Sequence, residues 1–260
     1  RHSTLFPYTT LFRSLPSRVP SNLDLACNTL GALLGAVVAQ VVGPRVFARI
    51  VALEHKLIAP VPHAELGLTL LGLWLLVPLS PEILLFGAGD LRHLLGFASD
   101  EPFVAESFVM IEASVTAFNA IAVGLILRML CARLLVAYLI VPFYLALGLA
   151  IRTLAAAILI GPSEALAWLS PGAEMGLLVA ALVLAISLAL PATARLMLIP
   201  LALMSGTVLV NLAPPNPYSM AALATWQQGH FLNFNGLTRW VATLWPFLTL
   251  PFLLLIVRRP

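Results

Sequence analysis

Residues 107–127 read SFVMIEASVTAFNAIAVGLIL, a run in which Glu112 is the sole ionisable side chain. At a rise of about 1.5 Å per residue, a helix of this length spans about 30 Å, the thickness of a bilayer's hydrocarbon core. Helices and closed barrels alone satisfy their backbone in that medium, and this stretch lacks the alternation of a barrel strand. Its polar residues fall in register. Glu112, Thr116 and Asn119 stand at i, i+4 and i+7 and so share one helix face. A carboxylate inside a membrane helix is by default a candidate functional group, and Asn28 and Arg152 are the partners that neighbouring helices offer it. The alternative is a carboxyl hydrogen-bonded for helix packing alone.

Working outward, apolar runs of similar length recur at about 23–43, 64–80, 134–151, 174–190, 195–212 and 239–257. Together with 107–127 they predict an all-α fold, a polytopic integral membrane helix bundle with about seven transmembrane helices. The run at 64–80 is the weakest, because Glu65 opens it while Pro78 and Pro81 close it early; it reads as tilted or partly re-entrant. Composition agrees: 61% of residues are hydrophobic and 10% charged, against roughly 25% charged in soluble domains. Mean hydropathy is +1.01. The net charge of +3 comes almost wholly from arginine, Lys56 being the lone lysine, and no basic cluster with interleaved aromatics suggests nucleic acid. Cys27 and Cys131 sit near opposite ends of their helices, too far apart for a disulfide, and read as packing thiols.

The distribution of arginine orients the bundle. With Arg1 and Arg13 set aside, one side collects Arg45, Arg49, Lys56, Arg128, Arg133, Arg195, Arg258 and Arg259, and the other Arg18, Arg92, Arg152 and Arg239. The positive-inside rule makes the first side cytoplasmic and puts the carboxy terminus there. Trp168, Tyr218, Trp226 and Trp240 gather at the opposite interface, where amphipathic rings settle. A bacterial inner membrane is the expected location.

A second polar stripe stands at the mouth of the first run. Asp24, Asn28, Gly31 and Gly35 fall within roughly a 60° arc of a helix, preceded by Arg18 in a turn. The stripe must face protein, since Leu30, Leu33 and Val37 take the lipid side. Asp24 suits the positive end of the helix dipole and can pair with Arg18. Asn28 calls for an interhelical hydrogen bond, and Gly31 with Gly35 forms a GxxxG pair for close helix packing.

The stretch LPSRVPSNLDLACNTLGALLG at 15–35 resembles the closing motif of the VanZ-like family of bacterial membrane proteins: an arginine in a proline-containing turn, an aspartate, an asparagine, then glycines in the last helix of a four-helix domain. The segment around Gly229–Trp240 is similar to the tail of longer VanZ-like proteins. The resemblance implies three helices ahead of residue 15 and a link to resistance against glycopeptide antibiotics of the teicoplanin type. The family's histidine-glutamate and glutamate-glutamine pairs have no counterpart in this chain. Residues 1–14, which contain TLFPYTTLFRS, look like translated sequencing adapter and are expected to lie outside the native fold. The domain reading is therefore 1–14 adapter-like, 15–43 the last helix of a VanZ-like domain and 44–260 a six-helix extension.

Asp90, Arg92, His93, His230, Asn233, Asn235 and Arg239 fall in predicted outer loops, where the expectation is solvated side chains. No HExxH, CxxC, GxSxG, Walker A or GxGxxG pattern occurs, so no metal, cofactor or catalytic residue is expected. The functional expectation is an envelope protein in the lipid bilayer that binds a lipid-linked or glycopeptide-like small molecule, Arg18 gripping a carboxylate or phosphate while Asp24 and Asn28 orient it. Two rivals stand beside it. One is a transporter or flippase for a lipid or drug, with Glu112 and Asn119 lining the path. The other is a membrane enzyme acting on lipid-linked glycans.

Overall fold

The computed structural model describes residues 29–37, 40, 43, 56–80, 83–96, 103–214 and 234–257. The chain divides into two units, Arg1–His55 and Lys56–Pro260. In the first, residues 29–37 are helical and exposed. A Cβ added at Gly31 or Gly35 meets nothing within 4 Å. Arg18, Asp24, Cys27 and Asn28 lie outside the described residues.

The second unit is helical, with no strand among the described residues. In chain order its helices are α1 (Ala64–Trp74), α2 (Arg92–Leu95), α3 (Ala105–Leu130), α4 (Leu134–Leu159), α5 (Pro171–Ser187), α6 (Ala192–Leu212) and α7 (Phe234–Val257), with 3-10 turns at Val77–Leu79 and Pro162–Glu164. Four helices are long and apolar enough to cross a membrane: α3, α4, α6 and the Leu237–Ile256 part of α7. Of the seven expected spans, the first is described only in part, at 29–37, 40 and 43, and two others are helices shorter than these four. Helix α5 has 17 residues. Helix α1 has 11 and reaches only about 16 Å, half the hydrocarbon thickness.

The early end of α1 has a local cause. Pro78 enters the 3-10 turn just after it, where a proline has no N–H to continue the α-helical ladder. Residues 83–91 then run without regular structure through the interior, with Leu85 2%, Phe86 1% and Ala88 1% exposed. The segment expected at 64–80 is thus a short helix followed by buried irregular backbone. Trp74 seals the junction: it stacks on Tyr144 with ring centroids 5.5 Å apart and packs against Phe86 at 5.1 Å. The Tyr144 hydroxyl donates to the Leu71 carbonyl at 2.5 Å.

Helix α3 is the hub. In its spanning window 72% of residues are buried inside the protein, against 17% for α4, whose outer face carries Leu135, Leu139, Phe143, Leu154 and Ile158. Lipid tails are as apolar as leucine, so helices in this medium adhere through close van der Waals contact. Small residues supply it. Gly172, Gly176 and Ala180 recur every fourth residue along the buried face of α5. A Cβ at Gly176 would stand 2.5 Å from the Ala113 carbonyl oxygen and 2.7 Å from Thr116 Cβ. On α6, a Cβ at Gly206 would come within 2.7 Å of Asn119 Nδ2.

Candidate functional site

The buried irregular segment poses a hydrogen-bonding problem. Its carbonyls have no helical partners, and each one left unpaired away from water costs several kcal/mol. Side chains from four long helices answer it. From α4, Arg152 donates to the carbonyls of Ser80 and Ile83, the latter at 2.7 Å. From α3, the Thr116 hydroxyl donates to the Leu85 carbonyl at 3.3 Å. From α6, Asn211 Nδ2 donates to the Gly89 carbonyl at 2.7 Å while its Oδ1 accepts from Leu91 N at 2.9 Å. From α7, the Thr243 hydroxyl donates to the Asp90 carbonyl at 3.1 Å, and the Ala242 carbonyl accepts from Gly89 N at 2.8 Å. Gly89 adopts φ 86 with Thr207 2.8 Å from where a Cβ would stand, so both conformation and space call for glycine.

Glu112, Thr116 and Asn119 do share one buried face of α3, at 8%, 0% and 0% exposure. Their surroundings differ. Glu112 looks onto the start of α5, where Gly172 leaves room for it. Ser170 and the Arg152 guanidinium are the polar groups nearest its carboxylate in effect. Ser170 also caps α5, accepting from Ala173 N at 3.1 Å. Thr116 anchors the irregular segment, as above. Asn119 donates to the Val115 carbonyl of its own helix at 2.9 Å, and its Oδ1 is buried with no partner. Across from it on α6, the Thr207 hydroxyl is also buried without a partner.

The result is a polar column inside an apolar bundle, running from Ser170 through Glu112 and Arg152 to Ser80. There the Ser80 hydroxyl donates to Thr238 Oγ1 at 2.9 Å. Arg152 is its pivot. The guanidinium holds two carbonyls of the broken backbone, and Glu112 is an acidic neighbour close enough for the two charges to attract.

Asp90 and Arg92 correct the expectation of solvated loops. Asp90 is 8% exposed. Arg92 grips its carboxylate with Nε at 3.0 Å and Nη2 at 2.7 Å, while Nη1 donates to the Ala213 carbonyl at 2.6 Å. Buried charges persist when they are paired and fully hydrogen-bonded, and this pair ties the irregular segment to the end of α6. Arg239 lies within α7 rather than in a loop. His230 and Asn233 lie outside the described residues.

Sequence reasoning missed Arg152's grip on the segment, the Gly172/Gly176 pair and the Asn211 anchor. The GxxxG spacing at Gly172 and Gly176 is a signal that was open to view. The bonds of Arg152 and Asn211 join residues 72 and 120 positions apart and have no local signature.

A broken helix seated among four apolar helices of spanning length fits a multi-pass membrane protein. No family model, curated protein or solved structure matches the chain. Among the described residues no group of histidine, cysteine, aspartate or glutamate side chains could hold a metal ion.

Proposed function

We propose that this chain is a transporter or flippase of a bacterial cytoplasmic membrane, moving a polar or lipid-linked molecule by a cycle that loads and unloads Glu112. The observation that carries this reading is Arg152, which holds the carbonyls of Ser80 and Ile83 with the Glu112 charge nearby. Non-helical backbone deep in a membrane protein is characteristic of transporters, whose broken helices gather at the substrate and ion sites. Neutralising Glu112 removes the attraction that shares Arg152 between the carboxylate and the backbone, which is how a proton or a cationic substrate would reset the segment. The test is reconstitution in liposomes with an imposed proton gradient, a pH-sensitive dye inside and a fluorescent lipid in one leaflet. Gradient-driven movement that Glu112→Gln removes is the expected result; equal movement by the variant refutes the reading.

The resemblance at residues 15–35 supports a second reading, a VanZ-like envelope protein whose Arg18, Asp24 and Asn28 bind a glycopeptide-like or lipid-linked molecule at the outer face. Arg18→Ala in the full-length gene should then abolish teicoplanin tolerance in the host. Unchanged tolerance sinks it.

A further inference from the structure

At the opposite end of the bundle from Ser170, two arginines meet on one oxygen. Arg128, in the last turn of α3, donates from Nε to the Leu188 carbonyl at 3.1 Å; Arg195, in the first turn of α6, donates from Nη1 to the same carbonyl at 3.2 Å. Arg128 also donates from Nη1 to the Cys131 carbonyl at 3.1 Å. The two guanidiniums are close enough for the charge of Arg128 to act on Arg195. No carboxylate among the described residues lies within salt-bridge distance of either.

The local charge does not balance. The carboxy ends of α3 and α5, to which these side chains donate, offer roughly half a negative charge each. Against two guanidiniums that leaves about one positive charge uncompensated in a poorly solvated place. The hydrogen bonds do not balance either. Arg195 is 8% exposed and its Nε has no partner, and Ser187, which directly precedes the Leu188 carbonyl that Arg195 holds, is 3% exposed with an unpartnered hydroxyl. Arg195 Nε can only donate and the Ser187 hydroxyl can donate as well, so an acceptor is the group that satisfies both. Arg128 is half-buried, and the exposed Arg133 and Lys56 stand at the same end.

We propose that Arg128, Arg195 and Ser187 form a binding site for a singly charged phosphate group, the phosphodiester of an anionic lipid headgroup, at this end of the bundle. A phosphodiester brings one negative charge and several acceptor oxygens, and guanidinium forks fit phosphate geometry. Basic pockets between membrane helices hold anionic headgroups in this way. The site is separate from Glu112 and does not depend on the transport reading.

The experiment is native mass spectrometry of the full chain in detergent, titrated separately with phosphatidylglycerol, diacylglycerol and inorganic phosphate. Phosphatidylglycerol should be retained and diacylglycerol should not. Arg195→Gln and Arg128→Gln should each weaken retention about tenfold, the loss of one charged hydrogen bond, while the exposed Arg133→Gln leaves it unchanged. Half-buried Arg128 can be replaced with less risk to folding than Arg195, and the thermal unfolding midpoint of each variant separates lost binding from lost fold. Retention of inorganic phosphate at similar affinity would support the phosphate site and name a soluble phosphate as its source. Equal retention of phosphatidylglycerol and diacylglycerol overturns the proposal, as does undiminished retention by Arg128→Gln.

Discussion

Replacing Gly176 with alanine adds one methyl group where α5 crosses α3, and the structure sets the scale of the damage. The new carbon would stand 2.5 Å from the Ala113 carbonyl oxygen and 3.1 Å from its carbonyl carbon, whereas ordinary contact begins at 3.4 Å. Those atoms belong to helix backbone and cannot swing aside. The two helices must therefore part by about 0.9 Å, a gap that forfeits a quarter to a half of each van der Waals contact across the seam. Over-packing of this kind costs about 1–3 kcal/mol. The alanine's gain over glycine in helix propensity, about 0.5–1 kcal/mol, offsets part of that. Net destabilisation of about 1–2 kcal/mol should result, read as a lower midpoint when the protein in mixed micelles is unfolded with increasing SDS. The matched control is Gly72→Ala on α1, where a Cβ meets nothing within 4 Å. There the propensity term acts alone, and the variant should gain about 0.5–1 kcal/mol. If Gly176→Ala proves as stable as Gly72→Ala, close approach of α5 and α3 does not hold this bundle together.

Three further outcomes follow from the polar anchors and the buried thiol. Arg152→Gln leaves the Ser80 and Ile83 carbonyls short of donors, at about 1–3 kcal/mol each; hydrogen exchange should quicken across residues 83–91 while the middle of α3 stays protected, and unchanged exchange would refute the anchor. Asp90→Asn breaks the bidentate pair with Arg92. Breaking a buried pair costs 3–5 kcal/mol, and with side-chain exposures of 24% for Arg92 and 11% for Asp90 the expected loss is nearer about 2 kcal/mol, measured by the same SDS titration. Burial pushes the Cys131 thiol above its ordinary 9.0, with the Arg128 charge pulling weakly the other way. In a Cys27→Ser background, maleimide labelling should be slow at pH 7.5 and accelerate only above pH 9, because the thiolate is the nucleophile. The sign for stability is fixed by the same shift: the folded state holds this proton more tightly, so its contribution is full below pH 9 and declines as pH rises beyond it. Rapid labelling at neutral pH would contradict the burial.

The long helices were legible because a hydrocarbon slab imposes a length, and 107–127 or 134–151 meets it with hardly a charge. The shared face of Glu112, Thr116 and Asn119 was legible too, since helical period alone places i, i+4 and i+7 together. Pro78 announced the early end of α1. The path taken afterwards was not legible, because its stability comes from Arg152, Thr116, Asn211 and Thr243 on four separate helices. Charge misled at Asp90 and Arg92: a charged pair in a connecting segment usually seeks water, and here mutual neutralisation with the Ala213 carbonyl let it go inside. Gly172 and Gly176 show the remaining gap. Spacing marks a small-residue face, while the backbone it meets is a property of the assembled bundle.

The irregular segment also sets an order of events in biogenesis. Residues 83–91 leave the ribosome before α3, α4, α6 and α7, yet the hydroxyl that donates to the Asp90 carbonyl sits at Thr243. About 150 residues separate them, which at 5–20 residues per second is on the order of 10–30 s of synthesis. Throughout that interval the Asp90 carbonyl and the Gly89 N–H lack the partners α7 supplies, and unpaired backbone groups are costly in lipid. A chain that ends before Ala242 lacks the donor for the Asp90 carbonyl and the acceptor for the Gly89 N–H, and so leaves two backbone groups unpaired at the place the finished bundle closes over.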